Sequence, residues 1–300
     1  MIAPWLVATL AAALVQTGRF ALQKRLKSSG LSAGGATFAR FVFAAPLAVV
    51  LAAGLVAARG EALAMPPGRF WIAVAGGGLA QVLATMTTVA LFSLRNFAAG
   101  IAFTKTETVL VALFSAVVLG EAVSGAGFAA ILVGLAGVLL LSLPTGGAGA
   151  VRRGWRAPLL GLAAGTLFGI SAIGYRAATL ALPSGDTLER AVVTLAAVTC
   201  FQTLAMLPWL EWRDPGEVRR VLTRWRITAL VGVSGMLGSL GWFIAFTLQN
   251  AAYVRAVGQV ELVFSALVSW LVFRERASGR ELAGIGLLGV SIVLLVLLAA

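Results

Sequence analysis

The sequence predicts an all-α membrane protein, with ten transmembrane helices arranged as two inverted-topology five-helix repeats. Three observations support this fold class: an apolar composition, ten long apolar runs, and an internal repeat. Of the 300 residues, 60% are hydrophobic and 11% are charged, against about 25% charged residues in a typical soluble protein. A water-soluble fold cannot bury so much apolar surface, so composition alone indicates an integral membrane protein.

A helix that crosses the bilayer needs about 20 mostly apolar residues. The runs that meet this requirement are approximately 4–22, 33–57, 69–93, 97–120, 124–143, 157–181, 187–210, 227–250, 253–273 and 279–299. The apolar residues are continuous rather than alternating, which favours helices over a β-barrel. The connections are mostly short, so consecutive helices are expected to be antiparallel neighbours.

The basic residues are distributed unevenly between the two sides of these helices. The odd-numbered connections carry fifteen Lys and Arg residues, whereas the even-numbered connections carry only Arg59 and Arg69. The positive-inside rule then places the odd-numbered connections in the cytoplasm and both termini outside. The net charge of +12 is therefore interpreted as a topology signal and a contact with the lipid bilayer, and nucleic-acid binding is not expected.

Several kinds of chemistry are excluded by the residue inventory. The chain has no histidine and a single cysteine, Cys200. Ser-His-Asp hydrolysis, His-based metal sites and intrachain disulfides are therefore excluded. We expect no metal, no cofactor and no enzymatic activity.

The two halves of the sequence are related by an offset of 154 residues. Between 75–129 and 229–283, eighteen of fifty-five positions are identical without a gap, including Glu107 with Glu261 and Asn96 with Asn250. Earlier in each half the register changes by four, and Thr37-x-x-Arg40 then matches Thr187-x-x-Arg190. This pattern predicts two repeats, residues 1–148 and 149–300. Because five spans is an odd number, the second repeat would enter the membrane from the opposite face.

The matched segments carry recognisable motifs. The run Lys105-Thr106-Glu107 continues to Leu119-Gly120-Glu121 and Ser124, and the second copy runs from Glu261 through Glu275 to Ser278. These segments resemble the EamA type of the drug/metabolite transporter superfamily. The resemblance implies a carrier of small organic molecules, often an exporter of amino acids, with helices one to four and six to nine around a central cavity. The proline that commonly follows the first family Glu is replaced by Thr108 and Leu262.

The strongest candidates for a transport pathway are charges buried inside spans. Glu107, Glu261 and Lys105 lie well inside predicted helices, where a charge costs at least about 2.5–3.5 kcal/mol unless it faces a cavity or a partner. The two carboxylates could share one proton and titrate together, or each could pair with a base such as Lys105 or Arg255. The alternative to a transport role is an ion-pair staple that holds helices four and nine together.

Further pathway candidates are basic, aromatic and amide side chains inside other spans. The weaker basic candidates are Arg19, Arg40, Arg176, Arg190 and Arg255, and those of them near span ends could instead extend to the headgroups. A cavity lined by several of these bases would favour substrates that bear carboxylates. The full candidate set adds Arg40, Arg190, Trp242, Phe246, Tyr175, Gln16 and Gln81.

These observations predict a secondary transporter in the inner membrane of a bacterium. The expected substrate is an amino acid or a related small metabolite, moved outward by alternating access, with protons as a candidate coupling ion. A broad-specificity exporter of lipophilic compounds and a channel-like facilitator are the alternatives. The Arg-rich segment after Pro215 also predicts a short helix on the membrane surface, with a solvated loop as the alternative.

Overall fold

A computed structural model describes residues 3–60, 64–94, 104–142, 156–272, 274 and 279–299. Asn96, Glu275, Ser278 and the predicted boundary between the repeats at residues 148 and 149 lie outside these residues. The first part of the fourth predicted span, 97–103, lies outside them as well.

The described residues form α-helices joined by short connections, which confirms the all-α prediction. In chain order the helices are α1 (Pro4–Ser28), α2 (Ala33–Arg59), α3 (Gly68–Leu91), α4 (Glu107–Leu119), α5 (Gly125–Ser142), α6 (Arg156–Ala181), α7 (Thr187–Arg213), α8 (Glu217–Thr223), α9 (Trp225–Leu248), α10 (Ala251–Val257), α11 (Glu261–Leu271) and α12 (Gly279–Ala299). Single turns of 3-10 helix, Thr104–Thr106 and Gly258–Val260, precede α4 and α11.

Polar residues fix several of the helix ends. Ser32 and Asp186 precede α2 and α7, and their side chains accept hydrogen bonds from the backbone amides of Gly35 and Glu189, both at 2.9 Å. Asn250 caps α10 in the same way through the Ala252 amide, 2.8 Å away. Each cap satisfies an amide that the first helical turn leaves without a partner.

Seven helical segments of the described chain are long and apolar enough to cross a membrane. They are Pro4–Ser28, Ala33–Arg59, Gly68–Leu91, Leu159–Ala181, Thr187–Arg213, Trp225–Leu248 and Ala251–Val268. Three shorter apolar segments, Glu107–Leu119, Gly125–Gly137 and Leu282–Leu295, accompany them. The last of the seven contains the 3-10 turn Gly258–Val260, so the predicted span 253–273 is an interrupted helix.

The most extensive helix pairs join the first half of the chain to the second: α3 with α6, α1 with α9, α5 with α12, and α2 with α7. Glycines permit the close approach in three of these pairs. A Cβ on Gly174 would lie 2.8 Å from the Gly77 Cα, one on Gly241 would lie 3.0 Å from the Ala8 oxygen, and one on Gly137 would lie 2.7 Å from a backbone oxygen of α12.

The connections at the two ends of the helices contact one another in separate groups. At one end, Arg224 donates to the Ser29 carbonyl at 2.8 Å, which joins the α7–α9 and α1–α2 connections. At the other end, Arg59 pairs with Asp186 at 2.6 Å and with Glu189 at 2.7 Å. The Arg59 guanidinium holds the pKa of the exposed Asp186 carboxyl below its ordinary value. Counted by the ten predicted spans, the first pair of contacts joins two odd-numbered connections and the second joins two even-numbered connections.

The short helix predicted after Pro215 is present as α8. Val218 and Val221 are buried, and the buried Glu217 carboxylate accepts a hydrogen bond from the Ser32 amide at 2.6 Å. The helix therefore packs on the start of α2 through its apolar side and Glu217. Arg220 pairs with Glu217, and this contact raises the pKa of Arg220.

Candidate functional site

The site is built at two interruptions of the helical backbone. The turns Thr104–Thr106 and Gly258–Val260 are 154 residues apart, and each is followed at once by a glutamate that begins an α-helix. No proline follows either glutamate, so the break does not depend on one. A carboxylate in the first turn of a helix interacts favourably with the positive end of its dipole. Both breaks therefore place a carboxylate at a helix start within the apolar part of the fold.

Four charged side chains meet at these breaks. Lys105 forms an ion pair with Glu261 of the other half, and its Nζ lies 3.7 Å from Glu107 Oε1. Arg255 Nη1 lies 3.6 Å from the same Glu107 oxygen. All four residues are between 0 and 5% exposed. We call Lys105, Glu107, Arg255 and Glu261 the ion cluster.

The ion cluster extends to α1 and α9 through an amide and an aromatic ring. Gln16 donates to both Glu261 carboxylate oxygens, at 3.2 and 3.1 Å, and accepts from Trp242 Nε1 at 3.0 Å. The Arg255 guanidinium lies 4.7 Å from the centre of the Trp242 ring and 5.3 Å from that of Phe246. Cation–π attraction and one continuous hydrogen-bonded chain therefore order this side of the cluster.

The two glutamates of the ion cluster are satisfied to different degrees. Glu261 receives hydrogen bonds from Lys105 and Gln16. Among the described residues, Glu107 has two ion-pair contacts, at 3.6 and 3.7 Å, which are beyond hydrogen-bond length. Its Oε2, together with Arg255 Nε, is buried without a hydrogen-bond partner among those residues. A buried charged group without partners is costly, and a ligand with matching polar groups would remove that cost.

Arg40 and Arg19 lie in the same buried interior, 4% and 1% exposed. Arg40 donates to Thr85 Oγ1 at 3.2 Å and to Ser239 Oγ at 3.0 Å. Thr85 and Ser239 are also 154 residues apart, so Arg40 bridges equivalent positions of the two halves. Arg19 donates to the Gln23 side chain, and its guanidinium lies 4.1 Å from the Phe20 ring centre. The first predicted span ended at residue 22, whereas α1 continues to Ser28, so Arg19 lies further inside its helix than the sequence predicted.

Tyr175 and Gln81 occupy a neutral hydrogen-bonded region between α3, α6 and α7. Gln202 donates to the Tyr175 hydroxyl at 3.0 Å and to the Gly78 carbonyl at 3.1 Å. Ser171 donates to Gln81 Oε1 at 2.6 Å. Sequence reasoning did not select Gln202, although an amide in the middle of an apolar helix was the available signal. No described contact joins Tyr175 or Gln81 directly to the ion cluster.

Arg190 lies away from the other candidates. It is partly buried in the first turn of α7, and its Nε donates to the Gly185 carbonyl at 2.9 Å. The sequence match paired Arg40 with Arg190 by an offset of 150 residues. The offset of 154 that relates the two 3-10 turns instead pairs Arg40 with Thr194, so Arg190 does not lie at the same depth in its helix as Arg40. Arg176 lies at the same end of the fold, where it pairs with Glu121 and donates to the Gln249 carbonyl at 2.6 Å.

A separate apolar groove lies between α3, α4 and α6. Its volume is about 530 Å³, and none of the residues lining it belongs to the ion cluster. Gly76 keeps part of it open, because a Cβ at this position would meet nothing within 4 Å. Arg69 contributes a charged group to the lining.

Apolar helices that enclose a buried, incompletely paired set of charges define a multi-pass membrane transport protein. Residues 155–297 match the model of the EamA-like transporter family. Residues 155–297 therefore form an EamA-like domain, which confirms the resemblance seen in the sequence; the matched family consists of transporters and not of enzymes.

Comparison with solved structures adds to the fold assignment. A structure described as "Crystal structure of protein" matches 98% of this chain and 97% of its own, with a TM-score of 0.66 and 18% sequence identity. That likeness supports the fold over the full length of the chain and carries no information on substrate. No curated protein matches the chain.

Proposed function

We propose that the protein is a secondary transporter that exports amino acids or related small metabolites across the inner membrane of a bacterium. The ion cluster carries this proposal, because the chain keeps at least four charges inside an apolar fold and leaves a Glu107 oxygen without a partner. Buried charges in membrane spans mark substrate and ion pathways by default. The free Glu107 oxygen is an acceptor for a substrate ammonium group or for a coupling proton.

The proposed architecture is ten transmembrane helices in two inverted repeats, residues 1–148 and 149–300. Two observations support it. The two 3-10 turns occupy equivalent positions, and the first span of each proposed repeat packs on the third span of the other, α1 on α9 and α6 on α3. The ion cluster takes Lys105 and Glu107 from one repeat and Arg255 and Glu261 from the other. A site at such a repeat interface is where inverted-repeat transporters bind substrate.

Alternating access requires contacts at both ends of the helices that can open in turn. The Arg224–Ser29 and Glu217–Ser32 contacts close one end, and the Arg59–Asp186 and Arg176–Glu121 pairs close the other. The contacts at both ends are formed in the same structure, and the ion cluster between them is buried. This supports an occluded state, in which the site is closed to both sides of the membrane. By the charge bias, the end that carries Arg224 is cytoplasmic and both chain termini are outside.

The apolar groove favours a second candidate function. Its 530 Å³ volume and mostly aliphatic lining suit a lipophilic compound that enters from the bilayer. In that case the protein is a broad-specificity exporter, and transport would depend on the groove rather than on the ion cluster.

Exchange by purified protein in liposomes tests the proposal. The vesicles are preloaded with a mixed pool of amino acids and small metabolites, with and without a pH gradient, and efflux is followed for wild type, Glu107→Gln and Glu211→Gln. Glu211 is an exposed carboxylate at the end of α7 and serves as the matched control. We expect saturable efflux, accelerated by substrate on the far side, that falls at least about 100-fold in Glu107→Gln only.

Each contrary result has a defined meaning. Efflux retained in Glu107→Gln would make Glu107 part of an ion-pair staple and remove it from the pathway. Flux that rises linearly with concentration, without acceleration by substrate on the far side, would indicate a channel-like facilitator. Efflux of a lipophilic compound from vesicles loaded with it, together with no efflux of the mixed pool, would favour the apolar groove as the binding site.

A further inference from the structure

Two buried arginines lie side by side next to the ion cluster. A Cβ on Gly235 would lie 2.8 Å from the Arg40 Cγ and 3.4 Å from the Arg19 Cδ, so both side chains pass the same point on α9. Glycine at 235 leaves the space that these two stems occupy. The guanidinium groups come from α1 and α2 of the first half and are held against the second half.

Neither arginine of this pair forms an ion pair with a carboxylate among the described residues. The polar groups that receive their hydrogen bonds are all neutral: Thr85 and Ser239 for Arg40, and Gln23 for Arg19. Arg19 Nη2 is buried without a hydrogen-bond partner in the same part of the chain. Two like charges buried together are costly, and natural proteins tolerate such an arrangement at binding sites for the opposite charge.

The charges of the buried interior do not balance. The ion cluster itself is neutral, because Lys105 and Arg255 offset Glu107 and Glu261. Arg176 is paired with Glu121 and so adds no excess. The uncompensated charge in the described interior is therefore that of Arg19 and Arg40.

We propose that Arg19 and Arg40 form an anion subsite that binds a carboxylate of the cargo, and that the cargo carries a net negative charge. This inference rests on the proposed transport function and narrows its substrate class to small organic acids. Guanidinium groups suit carboxylates because their planar N–H donors match the two carboxylate oxygens. An acidic amino acid satisfies the whole site, since its ammonium group can bind the free Glu107 oxygen while a carboxylate occupies the arginine pair.

Ligand-dependent thermal stability of the purified full-length protein in detergent tests the subsite without requiring transport. A ligand that binds the folded state raises the unfolding temperature. The probes are L-aspartate and L-asparagine, which have similar size and differ by one charge. We expect aspartate to stabilise wild type, and asparagine to require about 10- to 100-fold higher concentration for the same shift.

Substitutions assign the effect to the arginine pair. Arg19→Gln and Arg40→Gln should weaken aspartate binding about 10- to 100-fold, whereas Arg219→Gln, at an exposed position of α8, should leave it unchanged. Without ligand, Arg19→Gln should unfold at the same temperature as wild type or a higher one, because it removes a buried uncompensated charge. A merely structural arginine would lower that temperature. Arg19→Lys and Arg40→Lys, which keep the charge, should retain part of the aspartate effect.

The possible outcomes separate this inference from the proposed function. Equal shifts with aspartate and asparagine, no shift with either, or unchanged aspartate binding in both glutamine variants would overturn the subsite. If a glutamine variant does not fold, the lysine variants and the wild-type comparison of the two probes still decide. Saturable exchange of neutral amino acids with an inert arginine pair would retain the transporter and reject the subsite. Tighter binding of aspartate than of asparagine, together with no exchange in liposomes, would retain the anion subsite and reject the transport function.

Discussion

The helix breaks before Glu107 and Glu261 are both single 3-10 turns, but the middle side chains of the two turns contact different parts of the molecule. Lys105, in the first break, crosses to the other half and pairs with Glu261. Gln259, at the equivalent place in the second break, faces α5, where a Cβ on Gly134 would lie 3.2 Å from both of its amide atoms. Those amide atoms are buried without hydrogen-bond partners. One break thus supplies a charge to the centre, and the other packs against the peripheral helices.

This difference shows which part of the site both halves share. The carboxylates occur in both copies, whereas the cations occur in one copy each: Lys105 corresponds to Gln259, and Arg255 corresponds to Ile101. In the ion cluster the two acidic residues are therefore equivalent by the repeat, and the two basic residues are not. One acid, Glu261, is fully bonded, and the other, Glu107, keeps a free oxygen. We therefore expect the two glutamates to have different roles.

The largest effect is expected for Lys105→Gln, which makes the first break resemble the second. The change removes the cation closest to Glu261 and leaves Arg255 as the remaining base of the cluster. Breaking a buried ion pair on one side costs about 3–5 kcal/mol of unfolding free energy. Thermal unfolding in detergent measures this loss, and liposome exchange should fall to background.

The control for this variant is Lys27→Gln, near the end of α1 and only partly buried. Its unfolding free energy should change by no more than about 0.5 kcal/mol. If Lys105→Gln were as mild as Lys27→Gln, the asymmetry between the two breaks would have no energetic significance.

A smaller but more diagnostic effect is expected from the two glutamates. Glu261→Gln should lower the unfolding free energy by about 2–4 kcal/mol, since Glu261 holds Lys105 and Gln16 together. Glu107→Gln should cost less than Glu261→Gln, because the contacts of Glu107 are longer than hydrogen bonds. Equal losses of stability in the two variants would contradict the division into a bonded and a free carboxylate.

The helices were predictable because long apolar runs admit few other structures in a membrane. The break before Glu261 was not, since Gly258-Gln259-Val260 contains no proline and does not interrupt the apolar pattern. Glu107 and Glu261 were found because a charge within an apolar run is costly and because it occurs twice at one offset. Both observations can be made from sequence position alone, so the two glutamates could be identified without knowing which way each helix faces.

Partners and depth were harder to predict, because they depend on helix rotation and on helix ends. Lys105 is two residues from Glu107, but its hydrogen bond goes to Glu261, 156 residues away. The first predicted span ended at residue 22, whereas α1 continues to Ser28, nine residues beyond Arg19. Arg190 was matched to Arg40 by a local register, and the helix ends place it in the first turn of α7. Gln16 and Trp242 were selected separately, and only the fold joins them.

Gly134→Ala tests the packing around Gln259 in the second break. The new Cβ would lie 2.7 Å from Ser291 Oγ, which donates to the Ala130 carbonyl, and 3.2 Å from the Gln259 amide. Overpacking of this kind costs about 1–3 kcal/mol. The matched control is Gly286→Ala in α12, where a Cβ meets nothing within 4 Å, so the better helix propensity of alanine should raise stability slightly. A harmless Gly134→Ala would mean that Gln259 is not tightly packed.

The smallest effect is expected for Trp242→Phe, which changes the surroundings of the second-half residues while it keeps an aromatic ring. The variant loses the Nε1 donor to Gln16 and weakens the cation–π contact with Arg255. We expect a loss of about 0.5–1.5 kcal/mol in unfolding free energy. Because Gln16 then loses the bond that orients its amide, it should hold Glu261 less firmly, and the Glu261→Gln penalty should shrink in the double variant. Strict additivity of the two penalties would show that Trp242 is not coupled to Glu261 through Gln16.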